Sequence, residues 1–482
     1  MVMATNPVDG QVGAAGSTSA LLYSPVLPKS QISPNATGTL GILNVNGPTV
    51  AASNPFFQSL GTNGRSCATC HQPENAMSIS AFSVQLRYLL SGGKDPLFAA
   101  FDGANCPDAV SSTALPFAIG DPSNPHSLLL NRALIRIGLP WPPKGVTPEF
   151  TIAGVYDPTR CELSPTYGIF SAQPTVSVYR RSLMAGNLKF VTTVGPGAAA
   201  PGQILPLDSN GQPESGNIMY DGREPTLQSQ AADAIMGHAQ AAALPSAAVI
   251  QQIVDFENGI YVAQNFDAQA LSLTDLGATG GPSALAAATA GLTAAPNTFS
   301  EYAGWATLPW YDLQAVQRES VARGEAIFNS RTFIVSNVAG INDLIGTNSL
   351  SATCTLCHAN TSDGNDVHPQ AEINEGTTGG AFALPANDLP TFKLVCSAGK
   401  TTPFDGSTVI VRDPGKALIT GKCADIGKVK SAQLRGLAAR APYFHDGSAA
   451  TLQDVVNFYN KRFQINFTAQ EQADLINFLR TL

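Results

Sequence analysis

Apolar side chains recur at helical spacing in several parts of the chain. Between residues 224 and 265 they run from Leu227 through Ile235 to Phe256, and residues 312–330 show a similar pattern. Spacings of three and four residues place apolar side chains on one face of a helix, which then packs against a core. The pattern therefore predicts amphipathic helices in both halves of the chain.

The last helix has the clearest signal and is predicted over residues 469–482. Its apolar positions 475, 478, 479 and 482 follow the i, i+3, i+4, i+7 spacing. Thr468 precedes it as a good N-cap, and Glu471 stands three residues later, which completes a capping box. A shorter helix is predicted over residues 452–460.

Stretches rich in Gly, Pro, Ser and Asn separate these helical segments. They divide the chain into an N-terminal arm (1–50), a first unit (51–265), a linker (266–300) and a second unit (301–482). Within the first unit, residues 91–215 carry many Pro and Gly and are interpreted as an irregular insertion. The arm is expected to have little regular structure. The expected fold class is mainly α, with two similar units and long irregular insertions.

Composition narrows the classes of partner. Only 13% of the 482 residues are charged, and the formal net charge is −8. An acidic chain without a Lys/Arg cluster argues against nucleic acid. No apolar run reaches the ~18 residues that a membrane-spanning helix needs. The first residues lack the regions of a signal peptide, so either the protein is cytoplasmic or a targeting peptide is absent from this chain.

The cysteines carry the most specific chemistry in the sequence. Two Cys-x-x-Cys-His motifs occur, one formed by Cys67, Cys70 and His71 and the other by Cys354, Cys357 and His358. This is the attachment pattern of c-type haem, in which two thiols bind the porphyrin and the adjoining histidine is the proximal iron ligand. The motifs predict two covalently bound haems.

Two other interpretations of these motifs were weighed. A thioredoxin-type motif needs a preceding strand and rarely occurs twice with histidine. A zinc site of four cysteines would need the two pairs to lie near each other. Their wide separation in sequence disfavours that site without excluding it.

The remaining four cysteines form two couples that are close in sequence. Haem attachment of this kind takes place outside the cytoplasm, where disulfides persist. The simplest pairing is Cys106 with Cys161 and Cys396 with Cys423, and the alternative is free buried thiols. The expected location is therefore the periplasm or the cell exterior, with the signal peptide already removed.

The distribution of histidine and methionine limits the remaining iron ligands. All six methionines precede residue 237, namely Met1, Met3, Met77, Met184, Met219 and Met236. The second unit cannot supply its own Met ligand. His368, His445 or a tyrosine must serve there, or the site is open. A phenolate ligand would lower the potential and favour ferric iron.

Three stretches of the chain resemble the bacterial dihaem cytochrome c peroxidase and MauG superfamily. They are Asn63 to His71, Tyr220 to Arg223 with Leu227 and Gln230, and Leu434 to Tyr459 with its Ala441-Pro442-Tyr443-Phe444-His445-Asp446-Gly447 turn. The resemblance implies two cytochrome c-like haem domains whose haems face an interface. It also implies that the first haem is peroxidatic and that the second relays electrons.

The resemblance assigns residues on the distal side of the first haem. A Gln ten residues after the aromatic of the Tyr220-to-Arg223 motif corresponds to Gln230. Ten residues further the family has a Glu, where this chain has Gln240. An amide is a poor proton acceptor, so His238 could take the acid/base role or bind the iron. Arg223 completes the catalytic candidates.

Tyr220 stands where the family has a Trp between its haems. A tyrosine can also carry an electron, so the resemblance predicts a relay through Tyr220, against the alternative of a plain packing residue. Many relatives close the first haem with a His soon after the haem motif. No histidine lies between His71 and His126, so the first haem is expected to be open or bound by a more distant His.

The resemblance also assigns residues at the second haem. Tyr459 stands where the peroxidases have their Met and where MauG-like members have Tyr, so it is the expected axial ligand. His445 is expected to contact a haem propionate or the interface. Arg440 and Pro442 match positions whose carbonyls hold Ca2+ in relatives, which leaves a calcium site open. His126 and His368 are expected to be structural or exposed.

Three functions remain in view. The first is a peroxidase that reduces H2O2 with electrons from a small donor protein. The second is a MauG-like oxidase, which uses H2O2 or O2 and a high-valent state of the two haems to modify a protein or an organic substrate. The third is a non-enzymatic electron-transfer cytochrome. The expected class is an oxidoreductase similar to the cytochrome c peroxidases.

Overall fold

The computed structural model describes residues 25–110, 118–192, 218–290, 297–309, 311–364, 372–404 and 406–482. Three residues considered above, Met1, Met3 and His368, lie outside these ranges. Among the described residues, no helix combines the length and the apolar character that crossing a membrane requires.

The helices are mostly short and lie along the whole described chain. In chain order they are α1 (Cys67–Cys70), α2 (Ala81–Ser91), α3 (Ala100–Gly103), α4 (Ser127–Arg132), α5 (Lys189–Thr192), α6 (Leu227–Gly237), α7 (Ala247–Asn258), α8 (Pro282–Ala287), α9 (Ala315–Ser330), α10 (Asn342–Ile345), α11 (Ala417–Thr420), α12 (Leu452–Arg462) and α13 (Ala469–Leu479). The capping box predicted at the last helix is confirmed, because Thr468 and Glu471 cap α13 reciprocally.

The strands are equally short and are distributed over six sheets. In chain order they are β1 (Val26–Leu27), β2 (Ser30–Asn35), β3 (Gly38–Asn44), β4 (Thr49–Val50), β5 (Leu134–Pro140), β6 (Phe150–Tyr156), β7 (Thr175–Arg181), β8 (Ile260–Asp267), β9 (Leu271–Ser272), β10 (Phe333–Ser336), β11 (Ser349–Ala352), β12 (Glu372–Ile373), β13 (Thr391–Cys396), β14 (Thr408–Val411) and β15 (Val429–Lys430). The larger sheets have the orders β2-β3-β8-β9 and β14-β13-β6.

The prediction of a mainly α fold is wrong. The structure is 33% helical and 20% strand, so it is a mixed α/β fold. One reason is that β7 is buried along almost its whole length, so it lacks the polar/apolar alternation that marks a strand. Another is that the strands pair with distant partners, as β3 does with β8. Residues 30–44, which were expected to be irregular, form β2 and β3.

The insertion at 91–215 contains regular structure in its described part. β5 pairs with β7 in an antiparallel ribbon, and β6 pairs with β13 of the second half. Val176 and Val178 pack with Phe392 and Leu394 in one apolar cluster across this junction. The insertion is therefore joined to both halves of the chain.

Both predicted disulfides are present, which rules out free thiols at these positions. Cys106 pairs with Cys161 within the insertion, with 5.1 Å between their Cα atoms. Cys396 pairs with Cys423 at the end of β13, with a Cα separation of 6.0 Å. Within the described chain, the four motif cysteines take part in no disulfide.

The two Cys-x-x-Cys-His motifs fold in the same way. After each histidine, the second to fourth residues form a 3-10 turn, Pro73–Asn75 in one case and Asn360–Ser362 in the other. The fifth residue, Ala76 or Asp363, then adopts a left-handed conformation. This shared geometry is a structural repeat of the two motifs.

Glu162 is an unusual buried acid within the insertion. Its Oε1 accepts a hydrogen bond from the backbone N–H of Ser177 at 2.7 Å, while its Oε2 has no partner among the described residues. Burial raises the pKa of Glu162 to about 7, despite the bond to Ser177 and the nearby Arg136. The folded state therefore holds a proton there that an unfolded chain would release.

We predict that replacing Glu162 by Gln reduces the pH dependence of stability. Between its ordinary pKa of 4.5 and about 7, folding keeps the proton, so the free energy of unfolding should fall as pH rises. Glu162→Gln should remove this part of the slope and be more stable than wild type at pH 8 by about 1–3 kcal/mol. Denaturant unfolding at pH 5 and pH 8 measures both effects.

The matched control is Glu319→Gln on α9, at a half-exposed position. This variant should keep the wild-type slope. Equal slopes for Glu162→Gln and wild type would contradict a protonated Glu162 in the folded state.

Candidate functional site

The first haem motif faces a deep, mainly apolar cavity. Together with its opening, the cavity encloses about 1420 Å³ of empty space. Its lining includes the motif residues Cys67, Cys70 and His71. Further lining comes from α6, α7 and the end of β7. The motif thiols, the imidazole and the apolar side chains of these elements thus surround one common space in which a large planar group could be held.

The imidazole of His71 is held by its Nδ1 atom. Nδ1 lies 3.1 Å from the carbonyl oxygen of Met77 and 3.3 Å from Oγ of Ser182. A carbonyl can only accept, so Nδ1 carries the proton and Nε2 keeps its lone pair for a metal. Burial lowers the pKa of His71 to about 4, which keeps the ring neutral.

One face of α6 forms the opposite wall of this cavity. Gln230, Ala234 and His238 follow one another at four-residue spacing, and all three line the cavity. Thr226 begins the helix with a capping box to Ser229, which sets the phase of this face. The small side chain of Ala234 leaves space between the two polar groups.

His238 belongs to a buried charge network. Its Nδ1 lies 2.6 Å from Oδ2 of Asp102, and Asp102 also pairs with Arg65. Burial alone would raise the pKa of Asp102, but the Arg65 charge and the bond to His238 hold it below its usual range. The ionised Asp102 therefore accepts from Nδ1, and Nε2 of His238 is left as a proton acceptor.

Gln240 does not line the cavity, whereas Arg223 does. The helix ends at Gly237, and the backbone at Gln240 has a φ of 54°, so the side chain leaves the helical face. Its Oε1 accepts a bond of 3.4 Å from Asn63. Arg223 forms ion pairs with Asp221 at 3.0 Å and Asp233 at 3.6 Å.

Glu257, on α7, is a buried acid in the lining of this cavity. Its Oε2 has no hydrogen-bond partner among the described residues. Burial raises the pKa of Glu257 to about 8, so the carboxyl group is protonated near neutral pH. A protonated carboxyl group can donate a hydrogen bond into the cavity.

The second haem motif faces a similar cavity. The cavity and its opening enclose about 1500 Å³, and Cys354, Cys357 and His358 lie in its lining. Nδ1 of His358 lies 2.6 Å from the carbonyl oxygen of Gly364, which is the sixth residue after it. His71 bonds to Met77 at the same spacing. Both histidines thus present Nε2 to a bound group.

Tyr459 lies close to His358 in this cavity. The two ring centroids are 6.2 Å apart and the ring planes are perpendicular. The Tyr459 hydroxyl donates to Oε2 of Glu375 at 2.9 Å. Burial, followed by the Glu375 charge, raises the pKa of Tyr459 well above 10. No methionine is found among the described residues that line the cavity.

His445 is a buried side chain of the same lining. Neither ring nitrogen has a hydrogen-bond partner among the described residues. Its Nε2 lies 3.8 Å from Asp413, and burial lowers the pKa of His445. Such a ring can form a hydrogen bond with a bound polar group, which is compatible with the predicted contact with a propionate. His126 is buried and bonds to Gly103 at 2.8 Å, as expected of a structural histidine.

One wall separates the two cavities. Four side chains line both of them, namely Arg181, Tyr220, Lys430 and Gln433. The ring centroid of Tyr220 lies 6.1 Å from that of His445. The predicted relay residue is therefore located between the two haem motifs.

The wall carries buried positive charge. Burial lowers the pKa of Arg181 to about 10 and the pKa of Lys430 to about 7. Arg440, which lines the second cavity, is also buried. Within the described chain, neither arginine forms an ion pair with a carboxylate. Buried cations need a compensating anion, and the propionates of haem would supply it.

These residues fit two c-type haems. The four motif thiols, the two oriented imidazoles and the cationic wall match the donors that such a group requires. The zinc alternative has no support, because the cysteine pairs line different cavities. The described residues contain no group of three or more His, Cys, Asp or Glu arranged to hold a metal ion.

The calcium site does not fit this structure. The carbonyl oxygen of Arg440 accepts a hydrogen bond of 2.6 Å from Nη2 of Arg181, which also donates to Ile79 at 2.7 Å. A guanidinium cation at this carbonyl would repel a divalent cation bound to the same atom. Arg181 thus provides the positive charge of the site from within the chain.

Sequence comparisons agree with this geometry. No family model matches the chain. A cytochrome-c peroxidase, IdrP1 of Denitromonas iodatirespirans, is 36% identical over 94 residues, or 17% of this chain and 25% of that protein. The cytochrome c551 peroxidase of Nitrosomonas europaea is 40% identical over 134 residues, which cover 24% of this chain and 40% of its own length. The matches thus span less than half of either relative.

A structure comparison gives a weaker similarity. A crystal structure described as a MauG-like protein associated with microbial copper homeostasis is 18% identical and covers 61% of this chain and 87% of its own. Its TM-score of 0.30 is too low to establish a common fold. The predicted resemblance to the cytochrome c peroxidases is confirmed by the sequence relatives. Those names denote oxidoreductases, in agreement with the predicted class.

Several site residues were not found from the sequence. Asp102, Glu257 and Glu375 have no local motif, and Asp102 lies in the segment interpreted as an irregular insertion. Arg181 follows Arg180 at the end of β7, and this pair of arginines in an otherwise weakly charged chain was the only available signal.

We predict that calcium is absent and that Arg181 makes it unnecessary. Chelation with EGTA should leave the thermal midpoint and the visible spectrum of the purified protein unchanged. Arg181→Ala opens the carbonyls of Ile79 and Arg440, so its midpoint should be lower, and added Ca2+ should raise it. Arg132→Ala, which removes an exposed pair with Asp388, is the control and should not respond to Ca2+. Stoichiometric calcium in the wild-type protein would refute this prediction.

Proposed function

We propose that this protein is a dihaem c-type cytochrome with peroxidase-like activity that acts in the periplasm or outside the cell. The observation that carries the proposal is the pair of cavities, each with a Cys-x-x-Cys-His motif whose imidazole is fixed through Nδ1. Haem bound in them would supply the redox chemistry of iron. Cys67, Cys70 and His71 would hold one group, and Cys354, Cys357 and His358 the other.

Residues of α6 would handle the protons of H2O2. Asp102 fixes the Nδ1 side of His238, so Nε2 can take a proton from one peroxide oxygen. Transfer of that proton to the other oxygen would let it leave as water when the O–O bond breaks. With two electrons passed on through the bound haem and two further protons, the remaining oxygen would become a second water. The Gln230 amide is placed to donate a hydrogen bond, and Ala234 leaves the space for a small molecule. We assign the acid/base role to His238, since Gln240 lies outside the cavity.

The wall and the second cavity would transfer electrons to the first haem site. Tyr220 lines both cavities, so its ring lies on a path between the two haem sites. Tyr459 would help His358 to hold the second haem through its phenol oxygen, after its proton is lost. A small electron-donor protein would supply the reducing equivalents from outside.

A MauG-like oxidase is the second candidate. The observation in its favour is Tyr459 in a cavity whose described lining contains no methionine. The two candidates differ in what the oxidising equivalents oxidise. A peroxidase oxidises an electron-donor protein, whereas a MauG-like oxidase oxidises and modifies a protein or an organic substrate. Turnover of H2O2 with a reduced small cytochrome c would support the peroxidase, and peroxide consumption without such turnover would favour the oxidase.

We predict that His238→Gln lowers kcat/KM for H2O2 by about 100-fold, as expected for the loss of a general acid/base group. The ferric protein should show a high-spin EPR signal that is consumed by H2O2, and the variant should react more slowly. His126→Gln is the control, because the buried His126 is in neither cavity lining and its ring bonds to the Gly103 carbonyl instead. Two low-spin haems that do not respond to peroxide would instead indicate a plain electron-transfer cytochrome.

Asp102→Asn tests the positioning of His238. Loss of the carboxylate removes the acceptor that fixes the proton on Nδ1 of the imidazole, so the rate should fall by about 10-fold. Asp102 also pairs with Arg65, so the thermal midpoint is measured in parallel. A rate loss that only follows a lower midpoint would mean that Asp102 has a structural role alone.

We predict that Tyr459→Phe changes the ligation of the second haem. Loss of the phenol oxygen should alter the absorption and EPR signals of that haem and raise its potential. Tyr443→Phe is a matched control, because Tyr443 lines the same cavity but its hydroxyl donates to the Leu437 carbonyl. An unchanged spectrum of Tyr459→Phe would refute the ligand assignment.

A further inference from the structure

A third cavity opens beside the first haem cavity. It shares Ile137, Arg223 and His238 with that cavity, so the two are contiguous at the distal histidine. We propose that this vestibule binds a small organic anion with an apolar body, of the class of aromatic carboxylates. This inference rests on the proposed function, because it places such a molecule next to the residue assigned to peroxide chemistry.

The insertion builds most of the vestibule. One wall is β5 with the residues that follow it, including Leu139, Pro140 and Pro143. The facing wall is the last turn of α6, and Leu418 and Ile419 of α11 close one side. These apolar side chains suit a hydrocarbon ring better than an inorganic ion. The segment that had no assigned role thus shapes an entrance to the first cavity.

The charges of the vestibule favour an anion. Its lining has three cations, Arg136, Lys144 and Arg223, against one acid, Asp233. Arg223 is paired with this acid at 3.6 Å and with Asp221 at 3.0 Å, so the excess positive charge of the lining rests on Arg136 and Lys144. These two cations stand in a chain whose net charge is −8. A field of opposite sign to the rest of the molecule concentrates anions at the opening.

Arg136 is the buried cation of this lining. Its guanidinium donates to Oγ of Ser177 at 3.0 Å and to the carbonyl oxygens of Tyr167 and Phe101 at 3.2 and 3.5 Å. These acceptors are neutral, and none of the described carboxylates forms an ion pair with it. Its charge is therefore held in place without being neutralised at close range. Lys144 is exposed at the mouth, where it can meet an incoming carboxylate.

The size of the vestibule also points to an organic ligand. Its cavity volume is about 340 Å³, which lies at the lower end of the roughly 300–1,000 Å³ of small-molecule pockets. Hydrogen peroxide alone would need only a narrow channel. A ligand of the size of benzoate could lie against the apolar wall with its carboxylate near the cations.

The test is calorimetric titration of the haem-loaded protein with benzoate. We expect one binding site whose affinity falls as salt is raised, and weaker binding of the neutral benzyl alcohol. Lys144→Glu should weaken benzoate binding by about 10-fold, because it replaces an attraction by a repulsion at the mouth. Ile419→Trp, which fills the vestibule, should abolish binding. Lys29→Glu, an exposed lysine near β2, is the matched control and should bind like wild type.

The outcomes separate this inference from the proposed function. Undetectable benzoate binding, equal affinity for benzyl alcohol, or unchanged affinity of Lys144→Glu would overturn the vestibule site. H2O2 turnover with a cytochrome donor is measured on the same samples. Turnover without benzoate binding leaves the proposed function intact, and benzoate binding without any turnover leaves the vestibule site intact.

Discussion

The burial of two adjacent arginines at the end of β7 is the constraint on which the rest of the site depends. Arg180 lies between Asp221 and Asp413, and so connects the Tyr220 motif to the second half of the chain. Arg181 donates to the carbonyls of Ile79 and Arg440, and its backbone N–H bonds to His445 at 2.8 Å. Truncating a buried, hydrogen-bonded cation is costly, so these contacts fix the two cavities relative to each other.

The same constraint explains why the wall between the cavities is charged. Arg180 is neutralised by two carboxylates, whereas Arg181 is held only by carbonyl and backbone groups. That charge is compensated by the dipoles of these groups, and burial lowers the pKa of Arg181. Anionic groups bound from either side would stabilise the wall. Under the proposed function, binding of the cofactors and packing of the two halves would therefore be energetically coupled.

Locally encoded features could be predicted from the sequence, and features that depend on distant pairing could not. The cap at Thr468 needs only neighbouring residues, and the structure has it as predicted. The Cys-x-x-Cys-His motifs are equally local, and their role as haem sites stays a prediction. β7 is buried on both faces, so its sequence lacks the alternation of polar and apolar residues that marks a strand. β6 pairs with the distant strand β13, and that partner cannot be found from the local sequence. Asp102 was missed for the same reason, because its partner His238 is 136 positions away.

On the distal side of the first cavity, the end of a helix decides which side chain faces the cavity. The resemblance places a distal residue twenty positions after Tyr220, at Gln240. This spacing puts the side chain on the cavity face only if the helix continues as far as that residue. Here α6 ends at Gly237, and the left-handed backbone at Gln240 directs that amide toward Asn63. His238 is then the last residue on the face begun by Gln230, and Asp102 from the insertion fixes its tautomer. The acid/base role that we propose for His238 would therefore depend on where the helix stops and on a carboxylate supplied by a segment without sequence similarity to the motifs.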